Sequence, residues 1–408
     1  MNPENRNMIL AITLSMAVLF GWQVFVVGPE LEKEAARQQA IAEMQAEEAE
    51  AEAENATPQA ISSAATPAGV AVSAARPADT APRITIDAPL VSGSISLAGA
   101  RIDDVMLKGY RETQDESSPF IQFLQKTSSE RPYFAEFGWA ADNADHPMPT
   151  AESIWNADRL TLAPGAPVSL TWDNGQGLTF RRTLSINDDY LITVDDSVES
   201  RLDAPLTMFP YGLVRRHGTP PTTGIYILHE GALGVFDETL REEDYDDMLD
   251  ADGGVIDVVP ESAGGWIGIT DKYWLAALVP DQSVRMSYAF KSLGGAEDRY
   301  QVDYIASEGQ TLQPGQIVAS KTRFFAGAKK VSLLDQYSKE FGIPNFDLAI
   351  DFGWFYFLTK PFFLVINWLN GILGNFGVAV LAFTVIVKLV FYPLANKSYR
   401  SMGKMRLL

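Results

Sequence analysis

From Phe376 to Leu394 the chain runs for 19 residues with one charged side chain, Lys388. A bilayer core about 30 Å thick takes roughly 20 apolar residues as helix, and a helix satisfies its own backbone there. The segment GNFGVAVLAFTVIVKLVFYPLANKSYRSMGKMRLL therefore predicts a transmembrane helix over 374–394. Lys397, Arg400, Lys404 and Arg406 follow, with no acid among them. Such an excess marks a cytoplasmic flank. The helix should run from outside to inside, with 395–408 opening a cytoplasmic loop. Pro393 should loosen the helix near that end, or end its apolar part.

Lys388 has two readings. A cation near mid-helix costs about 2.5–3.5 kcal/mol on insertion scales, so it normally faces a partner or a wet cavity. Alternatively it snorkels. It stands six residues before Leu394, about 9 Å along a helix, and a lysine stem can carry its ammonium most of that way. Position alone does not choose between them.

A second uncharged run, MILAITLSMAVLFGWQVFVVGP, spans Met8 to Pro29. Arg6 and the terminal amine precede it, and Glu30, Glu32 and Glu34 follow against Lys33. The positive flank puts the N-terminus inside. The apolar part is long for a cleaved signal peptide and offers no small-x-small cleavage site, so 1–29 is expected to be an uncleaved signal-anchor helix. Two spans of opposite direction then place about 30–345 outside the cytoplasm. Residues 30–83 are Ala/Glu-rich, then Ala/Pro/Ser/Thr-rich. Such a stretch buries too little apolar surface to offset ordering entropy, so it predicts a disordered tether.

With 408 residues and 47% apolar content, the remainder has ample material for a core. Residues 84–327 alternate apolar and polar in short runs: ITIDAPLVSGSISLAG, a hairpin SLTWDNGQGLTFRRTLSI with Asp173-Asn174-Gly175 at its tip, Tyr190 to Val198, Trp266 to Val279 and Arg285 to Phe290. This predicts one large β-sandwich. There is no cysteine, which excludes disulfides and thiol chemistry. A net charge of −20 argues against nucleic acid as a partner of this domain. His146, His217 and His229 are the only histidines and have no metal-motif spacing, so they are expected to be surface or satisfied core groups. The run DETLREEDYDDMLDAD, 237–252, lacks the order of a calcium loop and predicts a solvated acidic loop. No metal, cofactor or catalytic residue is expected, although a sheet edge could take an extended peptide.

In AKKVSLLDQYSK, Val331, Leu334 and Tyr337 form one helical stripe, so 328–345 should hold a helix closing the sandwich and a connector. Residues 346–373 are dense in Phe, Trp, Tyr and Leu, with Lys360-Pro361 interrupting. They read as an amphipathic helix lying in the outer interface; the alternative is a re-entrant or buried third helix.

TVIVKLVFYPLANKSYRSMGKMRLL from Thr384, with DFGWFYFLTKPFFLVINWLNGILGNFG from Asp351, resembles the YidC family of bacterial inner-membrane protein insertases. ITIDAPLVSGSISLAGARIDDVML and GGWIGITDKYWLAALVP resemble its periplasmic domain more diffusely. The resemblance implies a mixed architecture: N-terminal transmembrane helix, tether, periplasmic β-supersandwich similar to sugar-mutarotase folds, interfacial helix and second transmembrane helix. It implies a non-enzymatic insertase and chaperone of nascent membrane proteins, alone or with the Sec translocon, in the inner membrane. The basic end would be available to a ribosome. Most members carry arginine where this chain has Lys388, in a hydrophilic groove that receives polar segments. Lysine keeps the charge without the bidentate fork. Thr384, four residues earlier, would share that face or bond back to its own helix. No nucleotide-binding loop is present, which suits an energy-independent process. The family's conserved part has five transmembrane helices and this sequence reaches the first, so it is expected to be the front part of an insertase. One helix cannot enclose a groove. The competing expectation is a membrane-anchored periplasmic binding or scaffold protein. A periplasmic carbohydrate enzyme is a remoter one.

Overall fold

A computed structural model describes residues 80–222, 229–250, 254–294, 298–353 and 355–405. The predicted signal-anchor and nearly all of the predicted tether lie outside these residues. Two large sheets dominate, one of 11 strands and one of 9. The first runs from Val255–Ala263 through Arg285–Ser292, Arg299–Ala306, Leu206–His217, Tyr133–Ala141, Arg101–Arg111, Val91–Ser96 and Arg83–Asp87 to Thr161–Leu162. The second runs from Thr239–Asp244 through Gly231–Phe236, Trp266–Thr270, Trp274–Pro280, Ile317–Ala328, Leu191–Ser200, Leu178–Ile186 and Val168–Asp173 to Asn156–Ala157. Pairing is antiparallel except where Arg83–Asp87 meets Thr161–Leu162.

The alternation in the sequence becomes the inner and outer faces of the sheets. Val194 and Val198 are buried on a strand whose intervening side chains are only partly covered, the pattern of a sheet wet on one face. At the predicted hairpin, Asp173 pairs with Thr179. Asp173 Oδ1 accepts from the Gly175 amide, and Asn174 Oδ1 from the Gln176 and Leu178 amides. Gly175 and Gly177 supply the positive φ angles that the turn requires.

One buried cation bolts the two sheets together. Arg182 donates to Asp196 on the neighbouring strand at 2.7 and 2.9 Å, and across the core to the carbonyls of Phe137 and Ala100 at 2.6 and 3.2 Å. A buried guanidinium is tolerated only when its donors are filled in this way.

Trp266–Thr270 is buried at every position, because its outer face is roofed. Helix α2, Val331–Phe341, and a 3₁₀ turn, Phe346–Ala349, lie over it. Phe346 meets Trp266 edge-on at 5.2 Å, Tyr337 meets Phe325 at 6.2 Å, and Trp266 Nε1 donates to the Pro344 carbonyl at 3.0 Å. Val331, Leu333, Leu334 and Tyr337 are the buried side of α2.

The acidic run differs from the loop expected of it. Thr239–Asp244 is a strand paired with Gly231–Phe236, followed by helix α1, Tyr245–Asp250. Tyr245 and Met248 are buried and anchor it, and Arg241 pairs with Asp257 at 2.6 Å. The strand sits at the sheet edge, where charged side chains suppress further pairing. Those charges hid it from a hydrophobicity pattern.

Candidate functional site: the sandwich–membrane junction and the apolar helix

Gly342 ends α2 in a left-handed conformation, and its amide bonds the Ser338 carbonyl. Past the 3₁₀ turn, helix α3 occupies Tyr356–Leu373. Pro361 does not interrupt it, contrary to expectation. It lies in the second turn and removes only one donor. The preceding residue, Lys360, ties the helix down. Its ammonium donates to Asp347 at 2.5 Å, Asp335 at 3.1 Å and the Tyr356 hydroxyl at 3.0 Å, and that hydroxyl donates to Asp347. Burial pushes the Asp347 carboxyl upward, but the Lys360 and Tyr356 hydrogen bonds outweigh it and hold it below the usual range. This junction was missed in the sequence. Its only signal was a lysine inside an aromatic run.

Helix α3 has three faces, as its 3.6-residue period sorts them. Tyr356, Lys360, Phe363 and Asn367 turn toward the sandwich. Phe357, Leu364, Val365, Trp368 and Ile372 are exposed. Phe362 packs on Phe383 of the next helix at 5.1 Å, and Leu369 is buried. Gly374, left-handed, ends α3. The Asn375 side chain then accepts from the Val378 amide at 3.1 Å and caps helix α4, Phe376–Met405.

Of α4, Phe376–Lys397 is long and apolar enough to cross a membrane, about 33 Å of helix. The helix continues through Pro393. Lys388 is exposed, and among the described residues it has no ion-pair partner. Thr384, one turn earlier, donates its hydroxyl to the Val380 carbonyl at 2.8 Å, the back-bonded alternative. Among the described residues only α3 packs against α4, so no walled groove surrounds Lys388 here.

The three histidines do not converge. His229 bridges the Ala232 carbonyl at 2.9 Å and Asp244 at 2.7 Å. His217 packs against Phe134, and His146 lies in a separate loop. Among the described residues no group of three potential metal ligands comes together. A cleft of about 970 Å³ opens between the sandwich end and α3. A neighbouring one of about 380 Å³, holding the Arg216–Asp271 pair, shares Lys272, Tyr273 and Trp274 with it.

A large β-sandwich bound by an ion-pair junction to an amphipathic helix, with an apolar helix following, defines a membrane-attached protein whose folded domain stands at one end of a spanning segment. Residues 83–365 match the family described as YidC periplasmic domain. The membrane protein insertase YidC of Methylobacterium nodulans is 44% identical over the whole of this chain and 68% of its own length. Those of Methylobacterium sp. strain 4-46 and Nitrobacter hamburgensis are each 46% identical, also over the whole chain and over 69% and 67% of their lengths. The chain belongs to the YidC membrane protein insertase family. The sandwich is also similar to a galactose mutarotase related enzyme from Lactobacillus acidophilus, with TM-score 0.39 and 9% identity over 60% of this chain and 97% of that one. No chemistry is carried over from a likeness of that size.

Proposed function

We propose that this chain is a membrane protein insertase of the inner membrane in which Lys388 receives polar segments of nascent membrane proteins. One observation carries the reading. Lys388 is the single charge between Phe376 and Leu394, in a chain aligned end to end with named insertases. The basic residues after Leu394 favour α4 running from periplasm to cytoplasm, with the N-terminus also cytoplasmic and the sandwich periplasmic. The exposed apolar face of α3 suits the outer interface.

The mechanism is physical rather than covalent. A substrate helix must bring a short polar outer segment across hydrocarbon. A cation in a hydrated site part-way through the bilayer attracts its acidic residues and lowers that cost. Transfer of the substrate's apolar face into lipid then supplies the free energy. Thr384 lies on the same side of α4, but its back-bond leaves Lys388 the principal anchor. The insertase works alone or with the Sec translocon, and the basic sequence after Leu394, with Lys397, Arg400, Lys404 and Arg406, suits contact with a ribosome. The test substitutes Lys388→Ala and Lys388→Arg at the gene's own locus and follows membrane insertion of a substrate with an acidic outer tail. Alanine should impair insertion and arginine preserve it. Equal insertion by all three would sink the role of Lys388.

A further inference from the structure

The cleft between the sandwich and α3 has an unusual lining for a chain of net charge −20. Arg111, Lys272, Lys329 and Lys330 border it, against only Glu112 and Asp351. Among the described residues none of these four cations makes an ion pair. Their side-chain contacts are with neutral groups, although Asp271, Asp351, Glu230 and Glu242 lie within electrostatic reach of Lys329. Arg111 lies over Phe120, Lys272 over Tyr273 and Lys330 over Tyr190, while Lys329 donates to the Thr270 hydroxyl at 2.8 Å. Burial pulls Lys329 down to about 8, so at neutral pH it keeps most of its charge alongside Arg111, Lys272 and Lys330. Much of the remaining wall is aromatic: Tyr110, Tyr273, Trp274, Phe352 and Phe363. Phe363 is on α3, next to Leu364 of its exposed apolar face. The cleft thus joins unpaired cations to a surface made for lipid.

We infer that this cleft binds the headgroup of an anionic phospholipid from the outer leaflet, with Lys272 and Lys330 meeting the phosphate and the aromatic wall taking the glycerol and upper acyl chain. Charge complementarity and continuity with the apolar face of α3 favour a lipid over an acidic peptide, which needs no apolar exit into the bilayer. The site would seat the sandwich on the membrane at a second point beside the Lys360 junction. This inference rests on α3 lying in the outer interface, as proposed above.

The test is lipid capture by the full chain, reconstituted in phosphatidylcholine vesicles with increasing phosphatidylglycerol. A photo-crosslinking residue is placed by Tyr273→p-benzoylphenylalanine in the cleft, or by Trp368→p-benzoylphenylalanine on the outward face of α3. The expected result is preferential capture of phosphatidylglycerol at 273 and unselective capture of both lipids at 368. Each cation near an anionic lipid contributes roughly fivefold. Lys272→Gln with Lys330→Gln should therefore raise the half-saturating phosphatidylglycerol fraction by up to about 30-fold, at an unchanged melting temperature. Capture at 368 with no selectivity at 273, or selectivity that survives the double substitution, overturns the lipid site. So does displacement of lipid at 273 by an acidic substrate tail. Absence of lipid capture at 368 instead defeats the placement of α3 on which the site depends. No insertion step is involved, so neither failure touches Lys388.

Discussion

The sandwich and the α3–α4 segment solve opposite problems with the same residue types. In the sandwich, Trp266, Phe324 and Phe325 are buried and Arg182 has its hydrogen bonds filled internally. In the helices, Phe357, Trp368, Leu381 and Leu389 face outward, and Lys388 has no ion-pair partner among the described residues. The first pattern fits water as the surroundings, where apolar burial drives folding. The second fits hydrocarbon, where outward apolar groups cost nothing and an inward charge is the exception. The proposed function rests where the usual rule is broken, at Lys388, which has no ion-pair partner among the described residues.

This contrast can be broken at either side. The largest effects should fall in the sandwich. Asp196→Ala strands Arg182 in the core and should cost about 3–5 kcal/mol. Trp266→Ala, which also removes the roof contact with Phe346, should cost a similar ~3–5 kcal/mol. Thermal melting would register both, and a loss under 1 kcal/mol would show that the core is less tightly interlocked than its geometry implies. Next comes the junction. Lys360→Met leaves Asp347 and Asp335 without their cation and should cost about 1–3 kcal/mol, read as faster hydrogen exchange in α2 and the 3₁₀ turn.

The junction should also respond to acid. The folded Asp347 carboxyl titrates below the ordinary aspartate value of 3.8. Its contribution is therefore fully present above that value and is lost as pH falls through the lower folded one. Lys360 is held above the ordinary lysine value of 10.5, because its hydrogen bonds outweigh burial, so its contribution is complete at neutral pH and fades only in strong alkali. Exchange protection at α2 should stay flat from pH 7 to about pH 4 and fall below that. Protection already falling near pH 6 would point to another group. Smaller still, Phe362→Ala should weaken the α3–α4 contact by about 0.5–1.5 kcal/mol. Thr384→Val should change insertion by under about 0.5 kcal/mol, since the hydroxyl already serves its own helix. A larger effect would make Thr384 a substrate contact.

Much of this molecule was legible in the sequence because each signal was local. The spanning segment announces itself by length and lack of charge, the hairpin by Asp173-Asn174-Gly175, and α2 by the spacing of Val331, Leu334 and Tyr337. Contacts between distant segments were not legible. Trp266 finds the Pro344 carbonyl 78 residues away, and Lys360 finds Asp335 and Asp347 at separations of 25 and 13. Neither follows from propensity, because both depend on how the roof lies across the sheet. The cationic lining of the cleft draws on Arg111, Lys272 and Lys330, which the sequence scatters. Pro361 misled for a related reason. One lost backbone bond is a local penalty, and packing or an apolar solvent can outweigh it.

The central claim is that the charge at 388 is read by the substrate's charge. The most direct measurement is a charge swap in cells that depend on this gene: Lys388→Glu, paired with a substrate whose acidic outer-tail residues are replaced by lysine. The account predicts that Lys388→Glu fails with the acidic tail and recovers insertion with the lysine tail. Insertion of both tails at the unsubstituted rate, or failure of both, would contradict it.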